Sequence, residues 1–148
     1  MIRPYQRKDL AVLSEVYQRA RPYELGFETN QFVFSNLLDE PDNLKRFLQS
    51  TIFVLEEDGV LKGFGGYVHD YIAWLYVDPR YHRQKVGLRL LKHMLEKLKN
   101  RKQLRISIVK SNLAARACYK GLGFREQETF SFSFQGKTLE GLRMTREL

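Results

Sequence analysis

Ser111-Asn112-Leu113-Ala114-Ala115-Arg116-Ala117-Cys118-Tyr119-Lys120-Gly121-Leu122-Gly123-Phe124 carries the most specific residue spacing in the chain. It predicts a helix from Asn112 to Gly121 that ends in a glycine C-cap, with Phe124 opening the next strand. Residues 112, 115 and 119 fall on one helical face. Asn112 at the start, the small Ala115 allowing close approach and the phenol of Tyr119 can therefore meet one ligand. A plain amphipathic helix with a glycine stop explains Gly123 but not the whole spacing.

Reading outward, Leu104 to Val109 is a short strand, and Val86 to Lys99 is the longest helix. Its face carries Leu88, Leu91, Leu95 and Leu98, with Arg89, Lys92, Lys97 and Lys99 mostly on the wet side. Thr51 to Leu55 and Val60 to Tyr67 pair as a hairpin, because Asp58-Gly59 supplies the turn conformation. A second turn at His69-Asp70 leads into Tyr71 to Val77. Near the N-terminus a short strand precedes a helix that Asp9 can cap and that Pro22 ends, its apolar residues being Leu10, Leu13, Val16, Tyr17 and Ala20. Pro41-Asp42 opens a second short helix. Two strands, about Phe124 to Gln135 and Lys137 to Arg146, close the chain around Gly136. The order β-α-α-β-β-β-α-β-α-β-β predicts one α/β domain over residues 1–148, a mixed central sheet flanked by helices.

Leu75 to Leu91 forms a second constellation: a strand stopped by Asp78-Pro79, a basic loop Arg80-Tyr81-His82-Arg83-Gln84-Lys85, then a helix with Gly87 in its first turn. Free backbone N–H groups at a helix start bind anions, and Gly87 lets a pyrophosphate come close. The same residues also suit a strand-to-helix connection with a packing glycine.

Composition narrows the classes. The 148 residues are 43% hydrophobic and 28% charged, with no apolar run near the ~20 residues of a membrane span, so a soluble chain is expected. Met1-Ile2-Arg3-Pro4-Tyr5 lacks the pattern of a secretory signal, which makes the cytoplasm the default. Cys118 is the one cysteine: it can form no internal disulfide and no cysteine-based metal cluster. Neither zinc-like His/Cys spacing nor a P-loop is present, so metal ligands are read as none. A net charge of +8, densest from Arg80 to Arg105, suits a polyanion. A coenzyme with several phosphates fits, and the spread along the chain argues against nucleic acid.

The helix at Asn112 resembles a hallmark of the GNAT superfamily, N-x-x-A-x-x-x-Y-x-x-x-G-F, at every fixed position. The loop before Gly87 is similar to that family's acetyl-CoA motif, Q/R-x-x-G-x-G/A, but carries His82 at the Q/R position and Lys85 at the first glycine. Lys85 must then take a conformation that glycine adopts more cheaply. The resemblance covers nearly the whole chain and implies the GNAT fold, acetyl-CoA as cosubstrate and direct attack of an amine on the thioester. It further implies that the backbone of Arg83, Gln84, Lys85, Val86, Gly87 and Leu88 cradles the pyrophosphate, that Asn112, Ala115 and Tyr119 face the pantetheine arm, and that backbone N–H groups around Tyr76 and Val77 hold the thioester carbonyl. Tyr119 becomes the general acid toward the departing thiolate. Base candidates are His69 and Asp70 at the central turn and Glu24 and Glu28 in the segment that walls the acceptor site. Tyr23, Phe27, Phe32 and Trp74 are expected to border the acceptor.

Cys118 is discounted as a nucleophile because neighbouring helix residues point about 100° apart. Phe130, Phe132 and Phe134 share one strand face and read as core, and His93 as a surface residue of the long helix. The acceptor would be a small-molecule or protein amine (polyamine, amino acid, antibiotic, protein N-terminus or lysine), and the enzyme a monomer or homodimer without a membrane partner. A coenzyme-binding module without turnover and a basic nucleic-acid-binding domain are the rival classes.

Overall fold

The structure, a computed structural model, describes residues 1–25 and 32–148. Among the described residues, seven strands form one sheet in the order β1-β2-β3-β4-β5-β7-β6. They are β1 (Ile2–Pro4), β2 (Thr51–Glu57), β3 (Val60–Val68), β4 (Tyr71–Val77), β5 (Gln103–Val109), β6 (Arg125–Phe134) and β7 (Lys137–Glu147). Four α-helices cover it: α1 (Leu10–Glu24), α2 (Pro41–Leu48), α3 (Val86–Lys97) and α4 (Leu113–Gly121). This is the element order expected from the sequence.

The turn between β2 and β3 is made by Asp58 and Gly59, both at positive φ (54° and 74°), as the Asp-Gly pair predicts. Successive strands pair antiparallel except β4 and β5, which are parallel and matched only at Tyr71↔Arg105 and Ile72↔Ile106. Past those two pairs the strands part. Each sheet face has its own core. Phe53, Leu55, Ile72, Leu104 and Met144 pack with Leu90, Leu91 and Met94 of α3 and Tyr119 of α4. On the other face Val54, Phe64 and Trp74 pack with Leu13, Val16 and Tyr17 of α1 and Phe47 of α2. At roughly 1.5–3 kcal/mol for each large side chain buried, these two layers fix the strands whose ends form the cleft.

Three local expectations change. Pro22 does not end α1, which runs on to Glu24; a proline in the last turn sacrifices one backbone hydrogen bond, and Leu25 just beyond is buried. Asp9 does not cap α1 with its side chain. Its carboxylate instead receives two 2.9 Å hydrogen bonds from Arg3 and one of 2.8 Å from the Gln6 N–H, tying β1 to the helix start. His93 is half-buried rather than on the surface, its ring 4.7 Å from that of Phe53, and burial lowers its pKa.

Candidate active site

The parting of β4 and β5 makes the site. Asp78 N–H donates to Lys62 C=O at 2.9 Å, so the bonded pairs between β3 and β4 fall at every second residue from there. Alternation then turns the backbone of Trp74 and Tyr76 toward β3 and that of Leu75 and Val77 toward the gap. Of the two strand-end residues expected to offer backbone N–H groups, Val77 does so; Tyr76 contributes its side chain. A cavity of about 580 Å³ opens on the α3/α4 side of the gap, and another of about 560 Å³ on the α1/α2 side. Glu24, Trp74, Tyr76 and the end of β5 line both, so the two cavities are halves of one cleft through the sheet.

Tyr119 is 6% exposed and lines the first half together with Asn112, Ala115 and Cys118. Desolvation raises the pKa of its phenol well above the ordinary range, and Cys118 and Glu24 add to the shift. The group is thus a neutral hydrogen-bond donor at any working pH. The Cys118 thiol is also raised by desolvation and stays protonated, against a nucleophilic role. Asn112 does more than face the cavity. Its side-chain oxygen accepts from Ala115 N–H at 3.2 Å, capping α4, and its amide nitrogen donates to the carbonyls of Tyr23 (3.4 Å) and Glu24 (3.3 Å). The end of α1 is thereby held across the cleft.

At the other helix start, Arg83 and Lys85 both adopt left-handed backbone (φ 74° and 58°), the strained conformation that lysine in a glycine position was expected to take. Such residues turn successive N–H groups inward into an anion-binding concavity. A Cβ on Gly87 would lie 3.3 Å from Val77 Cγ2, so the absent side chain keeps the helix start close to the strand end. Arg83, Gly87 and Leu88 line the cavity. Gln84, Lys85 and Val86 do not: Gln84 accepts a 2.9 Å bond from Lys62, and Val86 is buried in the core, so these three offer at most main-chain groups. Beneath the loop, the fully buried Asp78 carboxylate binds the Arg80 N–H (3.0 Å), the Arg80 guanidinium (2.8 Å) and Arg19 of α1 (2.8 Å). Burial opposes its ionisation, but those hydrogen bonds prevail and hold its pKa at about 2.

Of the base candidates, Glu24 alone is brought to the cleft among the described residues. Its carboxylate accepts from the Tyr76 hydroxyl (3.0 Å) and pairs with Arg21 (3.1 Å). Desolvation raises its pKa, opposed by the Arg21 charge and the Tyr76 hydrogen bond. His69 and Asp70 sit at the opposite end of β4, beside a separate hollow lined by Arg101 and Lys102, and Asp70 is engaged by Arg105 at 2.9 Å. The hairpin that made them look central points them away from Tyr119. Glu28 and Phe27 lie outside the described residues.

Trp74 borders both halves, its indole N–H donating to Ser50 at 3.0 Å. Tyr23 lines the α3/α4 half and not the α1/α2 half, edge-on to His82 at 4.8 Å. Phe32 packs on Phe134 at 4.8 Å in a small separate cluster and lines neither half. Phe130 and Phe132, expected in the core, are half-exposed walls of the α1/α2 half; an added Cβ on Gly141 would fall 2.3 Å from the Phe130 ring, so that glycine seats it. Arg21 and Arg46, also in that wall, were not singled out by the sequence, where arginines on amphipathic helices read as solvated faces. Among the described residues no group of His, Cys, Asp and Glu could hold a metal ion, and no helix is long and apolar enough to cross a membrane.

Residues 13–124 match the family model described as the Acetyltransferase (GNAT) family. The [Ribosomal protein bS18]-alanine N-acetyltransferase of Escherichia coli (strain K12) is 44% identical over 52 residues, which are 34% of this chain and 35% of that protein; the matched segment thus spans about a third of that relative's length. Among solved structures, a GCN5-related N-acetyltransferase from Rhodopseudomonas palustris superposes with a TM-score of 0.82 at 22% identity, covering 100% of this chain and 95% of that one. The ribosomal-protein-S18-alanine N-acetyltransferase of Escherichia coli does so with a TM-score of 0.76 at 24% identity, covering 99% and 92%. At these identities the structural likeness speaks for the fold.

Proposed function

Because this chain belongs to the GNAT acetyltransferase family, we propose that it is an acetyl-CoA-dependent N-acetyltransferase acting on a primary amine by direct attack in a ternary complex. The observation that carries this reading is a single cleft through the sheet with Tyr119 on one side of the gap and Glu24 at its centre. The residues present fit the coenzyme: a loop with Arg83 and Lys85 in left-handed backbone, a glycine at the helix start, and a gap edged by strand backbone beyond the last β4–β5 pair.

Bound acetyl-CoA supplies the acetyl thioester. The loop Arg83 to Leu88 holds the pyrophosphate through main-chain N–H groups. Leu75 and Val77, whose backbone faces the gap, donate to the carbonyl oxygen as negative charge develops on it. Glu24 takes the proton from the amine, whose nitrogen bonds to the acetyl carbon as the carbon–sulfur bond breaks. Tyr119 donates a hydrogen bond to the sulfur as it leaves. With its pKa raised, the phenol stabilises the thiolate better than it protonates it, so its part is electrostatic.

Glu24 must be ionised to act, and its pKa is raised, so kcat/KM should climb with pH through a limb lying above the ordinary glutamate range of ~4.3. Glu24→Gln should abolish that limb and lower kcat/KM about 100-fold at neutral pH. A pH–rate profile with acetyl-CoA and an amine checks it; an unchanged profile removes Glu24 from the mechanism.

A further inference from the structure

The α1/α2 half of the cleft has a chemical bias that bears on the acceptor, an inference that rests on the acetyltransferase reading above. Its volume of about 560 Å³ is that of a small-molecule site. Among the described residues, its charged lining consists of one carboxylate, Glu24, and two guanidinium groups, Arg21 and Arg46. Arg21 is compensated by charge: it pairs with Glu24 at 3.1 Å and Glu40 at 3.6 Å, donates to the Tyr17 hydroxyl, and lies over the Tyr17 and Phe134 rings, although its buried Nε makes no hydrogen bond. Arg46 differs. Its guanidinium donates to the Asn43 side chain and lies 5.9 Å from the centre of the Trp74 ring, and no carboxylate pairs with it among the described residues. It is held in place by a neutral amide and an indole face, with donors left for a ligand. The wall also carries the aromatic rings of Tyr71, Trp74, Phe130 and Phe132, among small polar and aliphatic residues.

A cavity with an uncompensated guanidinium repels a polycation and selects an acceptor that brings its own anion. We propose that the acceptor is a small amine that also carries a carboxylate, with an apolar or aromatic body: a free amino acid whose carboxylate is held by Arg46 while its amine is presented at Glu24. Arg46 is then a specificity-determining residue. The planar fork matches a carboxylate bidentately, which a lysine in its place cannot reproduce.

The test compares amines in pairs that differ only by the carboxylate: phenylalanine with phenethylamine, and leucine with 3-methylbutylamine. Spermidine and a short peptide with a free amino terminus complete the panel. For the unaltered protein, kcat/KM should favour the carboxylated member of each pair at least tenfold, and spermidine should be the poorest acceptor. In Arg46→Gln the within-pair ratio should fall toward one, and Arg46→Lys should lie between. Acetyl-CoA binding, measured by calorimetry on each variant, separates the two levels of failure. If acetyl-CoA does not bind the unaltered protein, the acetyltransferase reading falls and this inference with it. Should acetyl-CoA bind while carboxylated amines react no faster than their partners, or not at all, the inference alone is overturned. It is overturned equally if the peptide or spermidine is preferred, or if Arg46→Gln leaves the within-pair ratio unchanged.

Discussion

Two parallel strands, β4 and β5, each run into a helix at the same cleft, and the two junctions are held by different means. At the start of α4 one side chain does the work: Asn112 engages the Ala115 N–H and the carbonyls of Tyr23 and Glu24. At the start of α3 the main chain does it, with Arg83 and Lys85 in left-handed conformations over the buried Asp78 carboxylate. A geometry set by a side chain requires that side chain, whereas a cradle of N–H groups can be built from almost any residues willing to bear the strain. The α4 segment carries every fixed position of the motif it resembles, whereas the α3 loop departs from its own at His82 and Lys85.

The contrast between the junctions is probed most severely at Tyr119, the proposed catalytic group of the α4 side. Tyr119→Phe should lower kcat about 100-fold while acetyl-CoA binding changes little, as steady-state kinetics would show; unchanged turnover would reduce α4 to a scaffold. Next in size is Asp78→Ala, expected to lower stability in urea denaturation by about 2 kcal/mol, since it strips a buried carboxylate from two arginines and the turn Pro79–Tyr81 of its cap. The pH dependence has the matching sign. Because the folded pKa of about 2 lies below the unfolded value of ~3.9, the Asp78 contribution is complete above pH ~4 and is lost as the pH falls toward 2. Asn112→Ala should lower stability by about 1 kcal/mol, the ordinary value of a helix cap, and loosen Glu24. Smallest of all, Lys85→Gly should raise stability by about 0.5 kcal/mol, because relief of left-handed strain of ~1–2 kcal/mol exceeds the added entropy of glycine. A thermal melt suffices to see it. A loss there would mean that the lysine side chain, not the backbone, organises the loop.

The architecture was legible in the sequence because periodicity and turn chemistry are local: Asp58-Gly59 makes its hairpin, and the apolar spacing marks the α3 helix, although of its expected face only Leu91 and Leu98 are fully buried and Leu90 and Met94 join them. The α3/α4 half of the cleft was legible for the same reason, since Asn112, Ala115 and Tyr119 share a helix turn by turn. The α1/α2 half was not. It is assembled from α1, α2, β4 and β6, and no spacing along the chain relates Arg21, Arg46 and Phe130. Reading Pro22 as a helix stop left Glu24 in an irregular segment, although the continuing helix is what carries its carboxylate to Tyr76. His69 and Asp70 failed in the opposite way: they are central in the strand order but lie at the wrong end of β4, a distinction that only the register reveals. Asp78 was read as a strand stop, and its pairing with Arg19, from a different helix, has no local signal.

Two residue pairs join β4 to β5. Mechanically, the sheet is therefore a pair of plates, β1 to β4 and β5 to β7, riveted at one end and splayed at the other. An extended chain laid between them, with its own amides and carbonyls, would act as a missing strand and splint the plates together. Ligand binding and completion of the sheet would then be one event, and the amide protons of Leu75 and Val77 would exchange slowly with solvent only while the splint is in place.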